Sequence, residues 1–248
     1  MDILYPILAA TLVSLLSLIG LVFYSKKFQN LLIYFVAFSA GALLGGAFFH
    51  LLVEALEINN NFLEISIYLI LGFSAFFILE NFLYWHHCHQ SSKECTHHIS
   101  YLNLIGDFFH NFLDGLAIGI SFLVSPSVGL ASTLAIASHE LPQEMGDMAI
   151  LLHFGLKKSK AILLNFLISL TSILGAIFGF YFSQSFEPIK SIFLSFCAGN
   201  FVYMAASDLI PEIKSEKTKK GPIHAGILFF VFIIGIVFLF LIKILFES

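Results

Sequence analysis

Eight apolar runs, each about twenty residues long, leave this chain few ways to fold. They lie at about Ile3–Tyr24, Leu31–Leu56, Ile65–Trp85, Tyr101–Val124, Val128–Phe154, Ala161–Phe182, Ile189–Ile210 and Ile223–Phe246. As helices, runs of this length match the hydrocarbon thickness of a bilayer, and a helix satisfies its own backbone polar groups there. Hydrophobic residues make up 58% of the chain and charged residues 11%, a balance that no soluble domain of this length can bury. The expected fold is an all-α polytopic membrane protein, with eight transmembrane helices in one transporter domain over residues 1–248. The first run has no basic leader and is too long for a signal-peptide core, so it is expected to be a span. The net charge of −4 offers no basic surface to nucleic acid. Cys88, Cys95 and Cys197 make no disulfide framework.

Lysine placement predicts the orientation. The chain has twelve Lys and no Arg. With eight spans, Lys26, Lys27, Lys93, Lys157, Lys158, Lys160, Lys214, Lys217, Lys219 and Lys220 fall on one side, and only Lys190 and Lys243 on the other. The lysine-rich side is expected to be cytoplasmic and both termini extracytoplasmic. Between the third and fourth spans runs a polar segment with His86, His87, Cys88, His89, Cys95, His97 and His98. Its spacing fits no zinc finger, and it reads as a soft metal acceptor or sensor at the cytoplasmic mouth.

A weak repeat links the second and seventh spans. Ala40-Gly41 precedes His50-Leu51-Leu52-Val53-Glu54, as Ala198-Gly199 precedes Asp208-Leu209-Ile210-Pro211-Glu212 at the same spacing. The two spans would run in opposite directions, as in an inverted repeat. The plan expected is three helices (1–86), the His-rich segment (86–100), two central helices (101–154) and three more (159–248).

The chemistry concentrates in the central pair. The fourth span holds His110-Asn111-Phe112-Leu113-Asp114-Gly115, and the fifth holds His139-Glu140-Leu141-Pro142-Gln143-Glu144-Met145-Gly146-Asp147. His110 and Asp114 share a helix face, with Asp107 on much the same stripe and Asn111 widening it. His139 pairs with Gln143, and Glu140 with Glu144, at the same i,i+4 spacing. Ionisable groups at mid-membrane depth are costly and mark ion pathways. Imidazole, carboxylate and carboxamide together suit a borderline divalent cation: imidazole for Zn²⁺ or Fe²⁺, oxygen also for Mn²⁺. Pro142 cannot donate to the carbonyl of Ser138, so a kink and a freed acceptor are expected there. Gly115, Gly119 and Gly146 are expected to let a partner helix approach closely. Nearer the span ends, His50 and Asp208 are further polar candidates. Glu80 and Asp107 read as structural or pathway-lining.

These two strips resemble those of the ZIP (Zrt/Irt-like) metal transporters, whose fourth helix carries HNFxDG. The second strip is similar to the HExPHExGD of the branch typified by the LIV oestrogen-regulated zinc transporters. The resemblance implies a 3+2+3 inverted-repeat bundle, a binuclear metal site between the two central helices, and influx of Zn²⁺, or of Fe²⁺, Mn²⁺ or Cd²⁺, across the cell membrane. It also implies a homodimer. Carried over by motif position, His110, Asp114, His139, Glu140 and Gln143 form one metal site; Asn111 with Asp114, Glu140 and Gln143 forms the second. His50 and Asp208 match polar positions on the entrance and exit routes. Three positions depart from the pattern: Gln143 stands for a His, Gly46 for an Asp near the outer mouth, and Ser172 for a Glu of the sixth helix.

Two other classes compete. His139-Glu140-Leu141-Pro142-Gln143 nearly reads as the HExxH of a zinc metalloprotease, but lacks the second His and has Pro inside the helix. A metal sensor without transport is permitted by the His-rich segment, though it gives the buried donors no task.

Overall fold

The computed structural model describes residues 2–22, 26–85, 93–153, 156–184 and 187–246. Every regular element among them is helical: α1 (Leu4–Val22), α2 (Lys26–Gly45), π1 (Gly46–Leu51), α3 (Leu52–Ile58), α4 (Phe62–Trp85), α5 (Lys93–Val124), α6 (Pro126–His153), α7 (Lys158–Ser169), α8 (Thr171–Gln184), α9 (Glu187–Met204), π2 (Ala205–Leu209), α10 (Ile210–Lys220) and α11 (Pro222–Phe246). Six helical stretches are long and apolar enough to cross a membrane: Leu31–Ile58, Phe62–Asn81, Leu104–Val124, Lys158–Ser183, Pro188–Ser215 and Pro222–Leu245. Two of the eight expected runs are not among them. The described apolar part of α1 is the shorter Leu4–Leu16. In α6 the polar strip His139–Asp147 lowers the hydropathy of the helix.

The packing is inverted relative to a soluble domain. Ala, Ser and Gly crowd the interior, while Leu, Ile and Phe project outward from α1, α4 and α11. Only 17% of the apolar window of α4 and 22% of that of α11 is buried, against 67% for α5 and α9, so α4 and α11 form the rim and α5 the centre. In lipid, association rests on close contact rather than on escape from water, which favours small residues between helices. The α5–α8 pair shows this best. Cβ atoms at Gly115 and Gly119 would fall on the carbonyls of Ser172 and Ala176, and Cβ atoms at Gly175 and Gly179 on those of Phe112 and Leu116. Gly146 departs from expectation: among the described residues nothing lies within 4 Å of a Cβ there, so none of the described helices uses that gap.

The second long span is not one regular helix. α2 passes through π1 into α3, with the Leu52 amide donating to Ala47; α9 passes through π2 into α10, with the Ile210 amide donating to Ala205. His50 lies in π1 and Asp208 in π2. A π-turn locally widens the helix and re-aims side chains, and such turns collect at functional positions. The sixth predicted span is likewise divided at Leu170, between α7 and α8. Ser14 of α1 and Ser172 both donate to the carbonyl of Ser169, at 2.8 and 2.9 Å, which keeps the broken turn satisfied. Ser172 is thus committed to this serine cluster with α1, where its hydroxyl also meets that of Ser14 at 2.9 Å.

α6 continues as helix through Pro142. The freed Ser138 carbonyl accepts a hydrogen bond from Ser39 of α2. The proline therefore supplies an interhelical tie instead of a bare acceptor.

Candidate metal centre

α5 and α6 run side by side, and their polar stripes meet. His110, Asp114, His139 and Glu140 are all buried, and each offers a donor atom within 4.8 Å of the others. His139 Nε2 is 2.9 Å from Asp114 Oδ2 and 3.2 Å from His110 Nε2. His110 Nε2 is 3.3 Å from Asp114 Oδ2 and 3.9 Å from Glu140 Oε1. Four donors placed tetrahedrally at zinc–ligand distance are roughly 3.3 Å apart. The observed separations fall on both sides of that value.

The imidazole of His139 has a fixed role. Its Nδ1 faces the Ala135 carbonyl at 3.2 Å, one turn back on α6. Donation there leaves Nε2 as the ligand nitrogen, the usual second partner of a metal-binding histidine. Phe201 meets the ring of His139 edge-on and Phe76 meets that of His110, which walls the cluster in hydrocarbon. Asp114 and Glu140 bring two carboxyl groups into this apolar enclosure. Asp114 Oδ1 and both oxygens of Glu140 have no hydrogen-bond partner among the described residues. Buried anionic oxygens without partners are expensive, and a divalent cation at the cluster offsets that cost.

The other expected site residues divide. Asn111 is buried beside the cluster, and its amide donates to Asp107 Oδ1 at 2.8 Å and to the Asp107 carbonyl at 3.1 Å. Gln143 is half-buried and turns toward Asp107. Glu144 is buried and accepts from the Asn165 amide of α7. His50 lies outside the four-residue group: its Nε2 meets the Leu239 carbonyl of α11 at 2.9 Å, one turn from an ion pair between Glu54 and Lys243 at 3.1 Å. Asp208 is exposed in π2, within electrostatic reach of His110. Close to it, Tyr203 donates to Glu80 of α4. The side chains of the His-rich segment lie outside the described residues; its backbone from Lys93 onward is the start of α5. Asn165 was not a sequence candidate. A lone Asn in the run Ala161–Ser169 has no pattern, though a carboxamide inside an apolar helix was itself a signal.

Apolar helices around a buried cluster of imidazole and carboxylate define an integral membrane protein with a group of side chains that could hold a metal ion. Residues 86–243 match the family described as the ZIP zinc transporters. This protein belongs to that family. Among its relatives, an uncharacterized zinc transporter of Schizosaccharomyces pombe is 39% identical over 150 residues, covering 55% of this chain and 33% of that protein. Zinc transporter ZIP13 of Pongo abelii is 34% identical over 197 residues, covering 73% of this chain and 58% of its own. The metal cation symporter ZIP8 of Rattus norvegicus is 28% identical over 296 residues, covering 87% and 64%. The chain thus spans between a third and two thirds of these relatives. They are named as transporters rather than enzymes, and the metalloprotease reading falls away with them.

Proposed function

We propose that this protein carries divalent metal ions, Zn²⁺ foremost, across a membrane toward the cytoplasm. The observation that supports this most is the donor spacing of His110, Asp114, His139 and Glu140, which suits one borderline cation with its water removed. Asn111 and Gln143, with the shared Asp114 and Glu140, would hold a second ion. With eight crossings, the lysine-rich connections and the His-rich segment would lie on the cytoplasmic side.

The inverted repeat draws support from contacts. One separation in sequence relates Gly41 to Gly199, Phe38 to Phe196, Ala47 to Ala205 and Leu52 to Ile210. Another relates Leu69 to Phe232 and Gly72 to Gly235. Gly41 lies on the Phe232 carbonyl and Gly235 on that of Phe38; correspondingly, Gly199 lies on the Leu69 carbonyl and Gly72 on that of Phe196. The π-turns holding His50 and Asp208 obey the same relation. Two such halves rocking about a central pair would expose the cluster to each side in turn.

Purified protein in liposomes tests the proposal. Zinc influx should be saturable and inhibited by excess Cd²⁺, and zinc permeability no greater than that of empty vesicles would refute it. Metal preference turns on Gln143, where a weaker neutral oxygen replaces an imidazole. Gln143→His should shift uptake competition toward Zn²⁺ over Mn²⁺ by at least ~10-fold. An unchanged ratio would remove Gln143 from the ligand set.

A further inference from the structure

The Pro126 end of the bundle carries a polar tie that the four-residue cluster does not use. Ser39 of α2 meets the Ser138 carbonyl and Gly46 packs on Ala135, so α2 and α6 are antiparallel. His50 and Glu54 therefore continue past Ala135, away from His139 and toward Pro126. Both meet α11. His50 is 0% exposed, and its Nε2 donates to the Leu239 carbonyl at 2.9 Å. One turn on, Lys243 Nζ donates to Glu54 Oε1 at 3.1 Å, with Glu54 9% exposed. α2 and α11 are joined without this pair: Gly41 and Gly235 each lie on a carbonyl of the other helix, and Phe38 and Phe238 meet at 5.7 Å. A buried ion pair is in any case a poor source of stability. Nor does the pair belong to the repeat. The separations that relate the two halves carry His50 to Asp208, Glu54 to Glu212 and Glu80 to Lys243. Where Glu54 and Lys243 stand in one half, the other has Glu212 and Glu80, and Glu80 accepts from the Tyr203 hydroxyl instead. The ion pair is thus a property of this end of the molecule rather than of the repeated fold.

We propose that Glu54 is an outer seat for the entering divalent cation, and that Lys243 is a tethered cation which that ion displaces. This deepens the transport reading and rests on it for direction. With eight crossings, the Pro126 end faces away from the cytoplasm, on the side that holds only Lys190 and Lys243 of the twelve lysines. A carboxylate in an apolar interior requires a positive partner, and Lys243 supplies one until a metal arrives. A divalent ion at Glu54 brings twice the charge of an ammonium and keeps the carboxylate compensated. The released ammonium stands in the last turn of α11, where its four-carbon stem lets it reach the headgroup layer. A monovalent ion has no such advantage over an ammonium, so the exchange favours divalent cations. The contact of His50 with Leu239 anchors the π-turn to α11 while Lys243 moves.

Two measurements on the full-length protein test this. In liposomes, K243M removes the competitor, and the zinc concentration for half-maximal uptake should fall at least ~5-fold. E54Q removes the seat and should raise it at least ~10-fold. E54Q/K243M removes both charges and so leaves no unpaired ion to unfold the chain. It should match E54Q, because Lys243 acts through Glu54. A tie that only held α3 to α11 would act the other way in K243M, with a lower melting temperature and no gain in half-saturation. An unchanged or raised half-saturation in K243M, or the parent value in E54Q/K243M, overturns the proposal. Acetylation of Lys243 in nanodiscs, followed by mass spectrometry, needs no flux. Cd²⁺ should speed this labelling several-fold in the parent and in H110A/H139A, whereas E54Q should label fast with or without Cd²⁺. Labelling that ignores Cd²⁺ overturns the seat, as does a response confined to proteins with the histidine cluster intact. Cd²⁺-dependent labelling in a protein that moves no zinc sinks the transport reading and leaves the seat standing.

Discussion

Replacing His110 or Glu140 by alanine should abolish metal uptake while the chain still reaches the membrane. The two changes remove different things. His110→Ala deletes a nitrogen that lies 3.2 Å from His139 Nε2 and 3.3 Å from Asp114 Oδ2, so a bound ion would lose one of its four donors. Glu140→Ala deletes a buried carboxylate whose two oxygens have no hydrogen-bond partner among the described residues, so the packing around it should largely survive the change. Losing a direct ligand should cost more than the 10–100-fold that loss of an outer-shell partner costs, and uptake at micromolar zinc should fall by at least ~100-fold. Surface labelling and radioactive zinc uptake, measured on the same cells, separate loss of transport from loss of protein. Normal accumulation in both variants would falsify the assignment of this cluster.

Gly115→Val prevents stable assembly of the bundle. At this position a Cβ would coincide with the Ser172 carbonyl, a backbone atom that no rotamer change can move aside. α5 and α8 must separate, and the contacts of Gly119, Gly175 and Gly179 along the same seam open with them. Forcing bulk into a packed contact costs about 1–3 kcal/mol where side chains can adjust, and more where backbone must shift. At about 2–4 °C per kcal/mol for a chain of this size, the melting temperature should drop by roughly 10 °C or more. Gly146→Ala is the control: it has open space around it, and alanine is the better helix former by ~1 kcal/mol. Thermal melting in detergent reads both. A valine variant that melts with its parent would show that the α5–α8 seam is not where the fold is held.

The donor set was partly legible because helical spacing is a local property. His110 and Asp114 share a face by their separation alone, as do Glu140 and Glu144. Yet His139 and Glu140 are sequence neighbours, about 100° apart around α6, and both join the four-residue group. Which part of the polar strip meets α5 depends on how α6 is rotated, and packing sets that rotation. Pro142 illustrates the same division. Its missing amide marks Ser138 as a freed acceptor, but nothing along the chain points to Ser39 as the donor that answers it.

Residue order by itself determined a helical membrane protein and the two strips where its chemistry lies, since apolar length and i,i+4 spacing are read along one helix. It also located the repeated Gly positions, though not the carbonyls they meet. Tertiary structure decided which donors converge. It brought His110, Asp114, His139 and Glu140 into one cage, turned Asn111 and Gln143 toward Asp107, and drew Asn165 from a separate helix to Glu144. It also set His50 against the Leu239 carbonyl of α11 instead of in the cage. The physical reason is that contact between helices depends on their rotation and approach, which the small residues of the whole bundle settle together.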